Sequence, residues 1–207
     1  MDAKLHDTRK DSPSFHRNIG PITEQLKEIL PEPSLQVLEI GSGSGQHAVT
    51  FSGEFPGFTF QPTDVVAENL NSIDSWVTHT GSTNVGKAIF LDVTDPNTHQ
   101  DIKGQYDIFL CFNVIHITPW EVTEALFQFA ENTGTPSARL ILYGPFRIDG
   151  KQTSESNADF ELWLKSKDAR FGVRDIDDVQ KVAGSNGFLL TNRYTMPANN
   201  FMLEFRL

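Results

Sequence analysis

Leu35-Gln-Val-Leu-Glu39-Ile-Gly41-Ser-Gly43-Ser-Gly45-Gln-His-Ala-Val49 decides the fold. The apolar run with Val37, Leu38 and Ile40 reads as a buried parallel strand. Three alternating glycines follow at once, and a helical apolar pattern (Ala48, Val49, Phe51) begins behind them. Strand, glycine-rich turn and helix form the first βα unit of a doubly wound nucleotide-binding fold. Gly41 takes a backbone conformation that a Cβ would forbid, Gly43 lets a ligand lie against the main chain, and Gly45 lets the helix start close to the strand.

The spacing bears on the ligand. A dinucleotide fingerprint reads G-x-G-x-x-G, and counting from Gly41 the third glycine is replaced by Gln46. The frame Gly43-x-Gly45-x-x-Ala48 fits the looser G-x-G-x-x-A form, so a dinucleotide stays open. The pattern Glu39-x-Gly41-x-Gly43-x-Gly45 resembles motif I of the class I S-adenosylmethionine (SAM) methyltransferases, in which the acid sits by the amino-acid end of the cofactor. A sulfonium and an ammonium favour a carboxylate nearby. A glycine-rich turn without a ligand is the plain alternative.

The chain has 207 residues, enough for one α/β domain with a full core. With 27 Asp and Glu against 17 Lys and Arg, its formal net charge of −10 repels phosphate backbones and argues against nucleic acid as a partner. One cysteine, Cys111, permits no intrachain disulfide and points to a reducing compartment. No apolar run approaches the roughly 20 residues of a membrane span, and the polar first ten residues do not read as a signal peptide. The expected location is cytoplasmic.

Residues 1–14 read as a flexible arm, and 15–30 as a helix with Ile19, Ile22, Leu26, Ile29 and Leu30 on one face, which Gly20-Pro21 breaks or begins. Pro31-Glu-Pro33 is a stop before the first strand. A helix over 46–54 precedes the second strand, 58–61, which runs into Asp64. Asp64 stands 19 positions after Gly45, where such folds bind two ribose hydroxyls; the alternative is a cap on the next helix, 67–77. Gly81-Ser-Thr-Asn-Val-Gly86-Lys87-Ala88 imitates a P-loop but lacks the Ser/Thr and precedes its strand, 88–91, so it reads as a surface turn. Asp92 and Val93, at the end of that strand, suit an adenine amine and ring, or a plain strand-end turn.

The fourth strand, 106–112, is almost wholly apolar and therefore central. Asn113 and His116 leave its carboxyl end, where open sheets bind ligands. Thr118 with Glu121 reads as a capping box, with Pro119 opening a helix that closes near Gly134. A fifth strand, 139–143, ends at Tyr143. The polar stretch 147–157 opens a long connection, reaching Arg174, that reads as a lid or substrate loop. Two further helical patterns lead to a terminal hairpin, 188–194 and 201–207, linked by Met196-Pro-Ala-Asn199-Asn200.

Several blocks now point further. Phe15-His16-Arg17-Asn18, the stretch 38–48, Gln61-Pro-Thr-Asp64, Asn113-Val-Ile-His-Ile-Thr-Pro-Trp-Glu121, Leu142-Tyr-Gly-Pro-Phe146, Ser156-Asn-Ala-Asp-Phe160, Arg174-Asp-Ile176 and Met196-Pro-Ala-Asn-Asn200 together resemble the DUF938/UPF0585 family, also called methyltransferase-like protein 26. That family's first block carries an acid where His16 stands here. The resemblance implies an α/β, Rossmann-like, seven-stranded, mostly parallel sheet with an antiparallel C-terminal hairpin and helices on both faces, as a single domain over 15–207. It implies SAM as cofactor, with Arg17, Asn18, Glu39, Gly41, Ser42, Gly43, Gly45, His47, Asp64, Asp92, Val93 and Asn113 as candidate contacts. His116, Asn113, Tyr143 and Asn199 are the candidate catalytic groups, with His116 as a base and no metal. The expected function is a SAM-dependent methyltransferase on a small-molecule acceptor, without nucleic acid or membrane partner; a homodimer is allowed. The alternatives are a non-catalytic SAM-binding or adaptor protein, and an NAD(P)-dependent oxidoreductase, which the absence of a Tyr-x-x-x-Lys pair weakens.

Overall fold

Buried apolar strands alternating with half-apolar helices leave few arrangements other than a sheet covered by helices. The computed structural model describes residues 7–30 and 34–207. The chain forms two compact units, the first reaching Leu91 and the second running from Asp92 to Leu207.

In the first unit, helix α1 (Pro13–Ile29) leads to strand β1 (Gln36–Ile40), helix α2 (Gln46–Glu54), strand β2 (Thr59–Asp64), helix α3 (Ala67–Thr80) and the two-residue strand β3 (Ile89–Phe90). β1 pairs parallel with β2, and β2 with β3. α1 buries Ile22, Leu26 and Ile29 as its periodicity requires, and Gly20-Pro21 neither breaks nor begins it. The stop at Pro31–Pro33 lies outside the described residues. Part of the stretch read as an arm has partners. Lys10 N donates to Ser72 Oγ at 2.8 Å, and Ser12 N donates to Gln46 Oε1 at 2.8 Å.

In the second unit, strand β4 (Tyr106–Phe112) is followed by helix α4 (Trp120–Thr133), strand β5 (Gly134–Gly144), strands β6 (Phe146–Ile148) and β7 (Lys151–Gln152), and helix α5 (Glu155–Lys167). Strand β8 (Arg174–Asp175), helix α6 (Ile176–Ser185) and strands β9 (Leu189–Met196) and β10 (Asn200–Arg206) complete it. β4 and β5 are parallel; β10 runs antiparallel to both β5 and β9, with a register shift between Glu204 and Phe205. With the three strands of the first unit these make a seven-stranded, mostly parallel sheet carrying an antiparallel C-terminal hairpin, as expected.

Three local readings are corrected. The polar stretch 147–157 is no loop: Asp149 and Gly150, at φ 52° and 72°, close a β6–β7 hairpin that pairs with β8 in a second, three-stranded sheet. An Asp-Gly pair in left-handed conformations is the type I′ hairpin turn. The capping box at α4 does not form, because the Thr118 hydroxyl donates to Val114 O at 3.0 Å and Pro119 occupies the N-cap. Gly45 makes room for a helix, not a strand: at φ 88°, a Cβ there would lie 2.7 Å from Ile73 Cα on α3.

Gly45→Ala should therefore destabilise the protein by about 2–4 kcal/mol, combining left-handed strain with overpacking. Gly53→Ala is the control. Gly53 lies within α2 with open space around its Cβ position, so the helix should gain about 0.5–1 kcal/mol. Urea midpoints that move alike in the two variants would contradict this account.

Candidate functional site

In the first unit, the chain leaves β1 through Gly41, Gly43 and Gly45 at φ 72°, 57° and 88°. Ser42 N donates to Thr63 O at 2.8 Å, and Thr63 Oγ1 donates to Glu39 O at 2.8 Å. Ser42 is thereby built into the turn. A Cβ on Gly43 would meet nothing within 4 Å, so the main chain there borders open space.

Asp64 serves this turn directly. Its Oδ2 accepts from Gly43 N at 2.8 Å, and its Oδ1 accepts from Val66 N at 2.9 Å and Asn69 Nδ2 at 3.1 Å. A carboxylate has about four acceptor positions, so a pair of ribose hydroxyls would need one of these donors to yield.

Glu39 is 3% exposed on β1, and its Oε2 has no hydrogen-bond partner among the described residues. Burial pushes its carboxyl up to about 7; a hydrogen bond from Ser42 opposes this, and the charge of Asp64 adds to it. An unpartnered carboxylate this deep costs stability that a cation alongside would return.

The segment before α1 is pinned to α2. Asp11 Oδ1 accepts from His16 Nε2 at 2.7 Å and from Gln46 Nε2 at 2.8 Å, which hold its carboxyl below the usual range. Arg17 is exposed and donates to Pro13 O within its own helix, while Asn18 is half-buried. The His47 ring packs between those of Phe15 and Phe51, and burial pushes it down to about 4, a neutral imidazole near neutral pH.

In the second unit, Asp92 Oδ1 accepts from both Thr94 N and Thr94 Oγ1, the strand-end turn, and Val93 is buried beside it. Asn113 sits at φ 60°, and its N–H donates to Tyr143 O at 2.8 Å. The Tyr143 hydroxyl accepts from Asn200 Nδ2 at 3.0 Å, and burial raises its pKa. Asn199 faces α5 instead: its carbonyl accepts from Asn157 Nδ2, and its amide donates to Ser156 Oγ.

His116 is 1% exposed, against Phe146 and Gly144, and neither ring nitrogen has a partner among the described residues. Burial, and then the charge of Arg174, pushes the ring down to about 3. A neutral imidazole of such low basicity is poorly matched to a general base. Its steric role is plain: a Cβ on Gly144 would lie 2.2 Å from His116 Nε2.

Gly144, Asn157 and Arg174 have no role in the sequence reading, and Asn200 is offered there only beside Asn199, as a group that could fix an acceptor's pose; the structure gives each a contact with a candidate residue or its neighbours. Arg174 donates to the carbonyls of Ile115 at 2.9 Å and Thr118 at 2.6 Å, on either side of His116. All four lie in blocks that the sequence already singled out, but nothing in a linear pattern says which blocks meet.

A glycine turn laced to a strand-end carboxylate, on a parallel sheet ending in an antiparallel hairpin, defines the class I methyltransferase fold. The chain is similar in structure to an O-methyltransferase family protein from Burkholderia thailandensis, at TM-score 0.77 and 14% identity over 90% of this chain and 55% of that one. It is similar also to the SAH-bound magnesium protoporphyrin IX methyltransferase of Synechocystis PCC 6803, at 0.69 and 16% over 91% and 81%. A third similar structure is an O-methyltransferase family 2 protein from Planctomyces limnophilus, in complex with apigenin, at 0.71 and 15% over 84% and 51%. The chain thus spans about half the length of the first and third. Residues 9–207 match the model described as "Protein of unknown function (DUF938)", and the chain belongs to that family.

Two measurements check this geometry. Glu39 titrates near 7 when folded against an ordinary 4.5, so folding should weaken as pH rises from about 4.5 to 7, by on the order of 3 kcal/mol, and level off above. Glu39→Gln should abolish that slope, and an unchanged slope in urea titrations would refute the assignment. Gly144→Ala should destabilise strongly in the native background but far less in His116→Ala, with a coupling of about 1–3 kcal/mol; additive effects would show that the two do not touch.

Proposed function

We propose that this chain is a SAM-dependent methyltransferase for a small-molecule acceptor, with the cofactor held at the glycine turn of the first unit. The observation that carries the reading is Glu39, a buried carboxylate with an unpartnered oxygen at the entrance to that turn. A cationic amino-acid end would neutralise it, whereas a dinucleotide pyrophosphate would add negative charge near Glu39 and Asp64. This favours SAM over NAD(P).

Bound SAM supplies an electrophilic methyl group on a sulfonium. The chain's own part is to bind and to orient. Open space at Gly43 admits a ligand against the main chain, and its N–H, now given to Asp64, is a donor that can be exchanged. Asp64 would take the ribose hydroxyls in place of one of its three present donors.

Within the second unit, the polar groups near the carboxyl ends of β4 and β5 are Asn113 and the Tyr143–Asn200 pair. We assign His116 to positioning: it holds the space beside Gly144, and its low basicity suits it poorly to taking a proton. In-line methyl transfer depends chiefly on alignment and exclusion of water, so a strong base is not essential to the reading.

The test is calorimetry of SAM binding in buffers of different ionisation enthalpy. As a cation arrives, Glu39 should lose its proton, releasing about one proton per SAM at pH 6 and almost none by pH 9. Glu39→Gln should bind SAM about tenfold more weakly or worse and release none. Binding of NAD(P) but not SAM would overturn the proposal. SAM binding without methyl transfer to any small molecule of a metabolite extract would leave a binding protein instead of an enzyme.

A further inference from the structure

The second unit contains a cavity of about 400 Å³ lined by Trp120, Arg147, Arg174, Asp175, Asp178, Lys181 and Val182. It lies among α4, α6 and the small sheet of β6 and β8, and none of the chemistry above uses it.

Its charges are unevenly matched. Lys181 Nζ pairs with Asp178 at 2.9 Å. Asp175 is occupied by backbone amides, accepting from Gly150 N at 2.7 Å and Asp177 N at 3.0 Å. Arg174 gives its donors to carbonyl groups and lays its guanidinium over the Trp120 ring, 5.5 Å from the centroid. Among the described residues no carboxylate lies within ion-pair distance of Arg147 or Arg174. The buried Arg147 Nε has no acceptor there either. Burial, and then the charge of Arg147, holds the Arg174 guanidinium below its usual range. Glu161 and Glu121 offset part of this on Arg174 without pairing with it, yet two guanidiniums that repel each other, one with a buried N–H lacking an acceptor, still favour an anion in the cavity.

We propose that this cavity binds a free small molecule carrying a carboxylate, held by the forked donors of Arg147 with its body against Trp120 and Val182. Carboxylate fits better than phosphate. Three basic side chains face two acidic ones around the cavity, which suits one negative charge better than two. A planar guanidinium matches a carboxylate with two parallel hydrogen bonds. The indole and Val182 give an apolar body a surface to cover, and the volume is that of a small-ligand pocket. The inference rests on the second unit alone and does not depend on SAM binding.

Benzoate is the probe, and benzamide its neutral counterpart of the same shape. In full-length protein without SAM, at fixed ionic strength, benzoate should quench tryptophan fluorescence saturably and raise the thermal midpoint, while benzamide does neither. Inorganic phosphate should bind more weakly than benzoate. Arg147→Gln should weaken benzoate about tenfold or more, and Arg147→Lys should restore part of the loss. Trp120→Phe should remove the fluorescence change but keep the thermal shift. Equal responses to benzoate and benzamide, no saturable response to benzoate up to its solubility, or unchanged affinity in a folded Arg147→Gln would each overturn the proposal. Failure of SAM binding would leave these outcomes unaffected.

Discussion

One carboxylate holds the glycine-turn end of the first unit together. Asp64 accepts from the glycine turn after β1, from the chain leaving β2, and from Asn69 on α3. The glycine turn, 21 positions upstream, and the adjoining start of α3 thereby share a single charged acceptor, and charge-assisted bonds of this kind are about twice as strong as neutral ones. Two of the left-handed glycines direct their amides at acceptors, Gly43 at Asp64 and Gly45 at Ser42 O. The same connection means that any ligand competing for Asp64 also loosens the turn, so binding and local order are linked.

Glu39 and Glu204, the most deeply buried glutamates among the described residues, show what the fold tolerates and where. Glu204 on β10 is fully buried but satisfied: Arg206 pairs with it at 2.7 Å, and Asn192 and Tyr194 donate to its other oxygen. Glu39 is buried nearly as deeply with one oxygen unpartnered. A buried carboxyl without a partner persists by keeping its proton, which is how burial raises Glu39, or by gaining a cation alongside. Structural Glu204 and candidate-site Glu39 are thus told apart by their partners, not by residue type or depth.

Much of the first unit was legible in the sequence because its determinants are local. Val37 to Gly45 sets strand and turn within a dozen residues, and Asp64 follows at the usual distance. The reason for Gly45 was not legible, because the atom it makes room for belongs to Ile73 on another helix. In the second unit the distinctive blocks were visible, yet their roles depend on contacts 42 to 59 positions apart: Asn157 with Asn199, Asn200 with Tyr143, and Arg174 with Ile115. His116 was read from its place at a strand end, and that place alone could not tell that the ring is sealed. The Asp149-Gly150 turn was the one overlooked local signal, and it would have replaced a supposed loop with a hairpin.

The register shift between Glu204 and Phe205 acts on the sheet's border. β9 is an outer strand, and an outer strand offers unpaired amides and carbonyls to any passing chain. Here the register shift interrupts the β9–β10 ladder, and Asn192 and Arg193 put polar groups along the exposed strand. At the opposite border, β3 is two residues long, too short to template another strand. Neither border of this sheet is therefore a good template for ribbon-like, edge-to-edge growth.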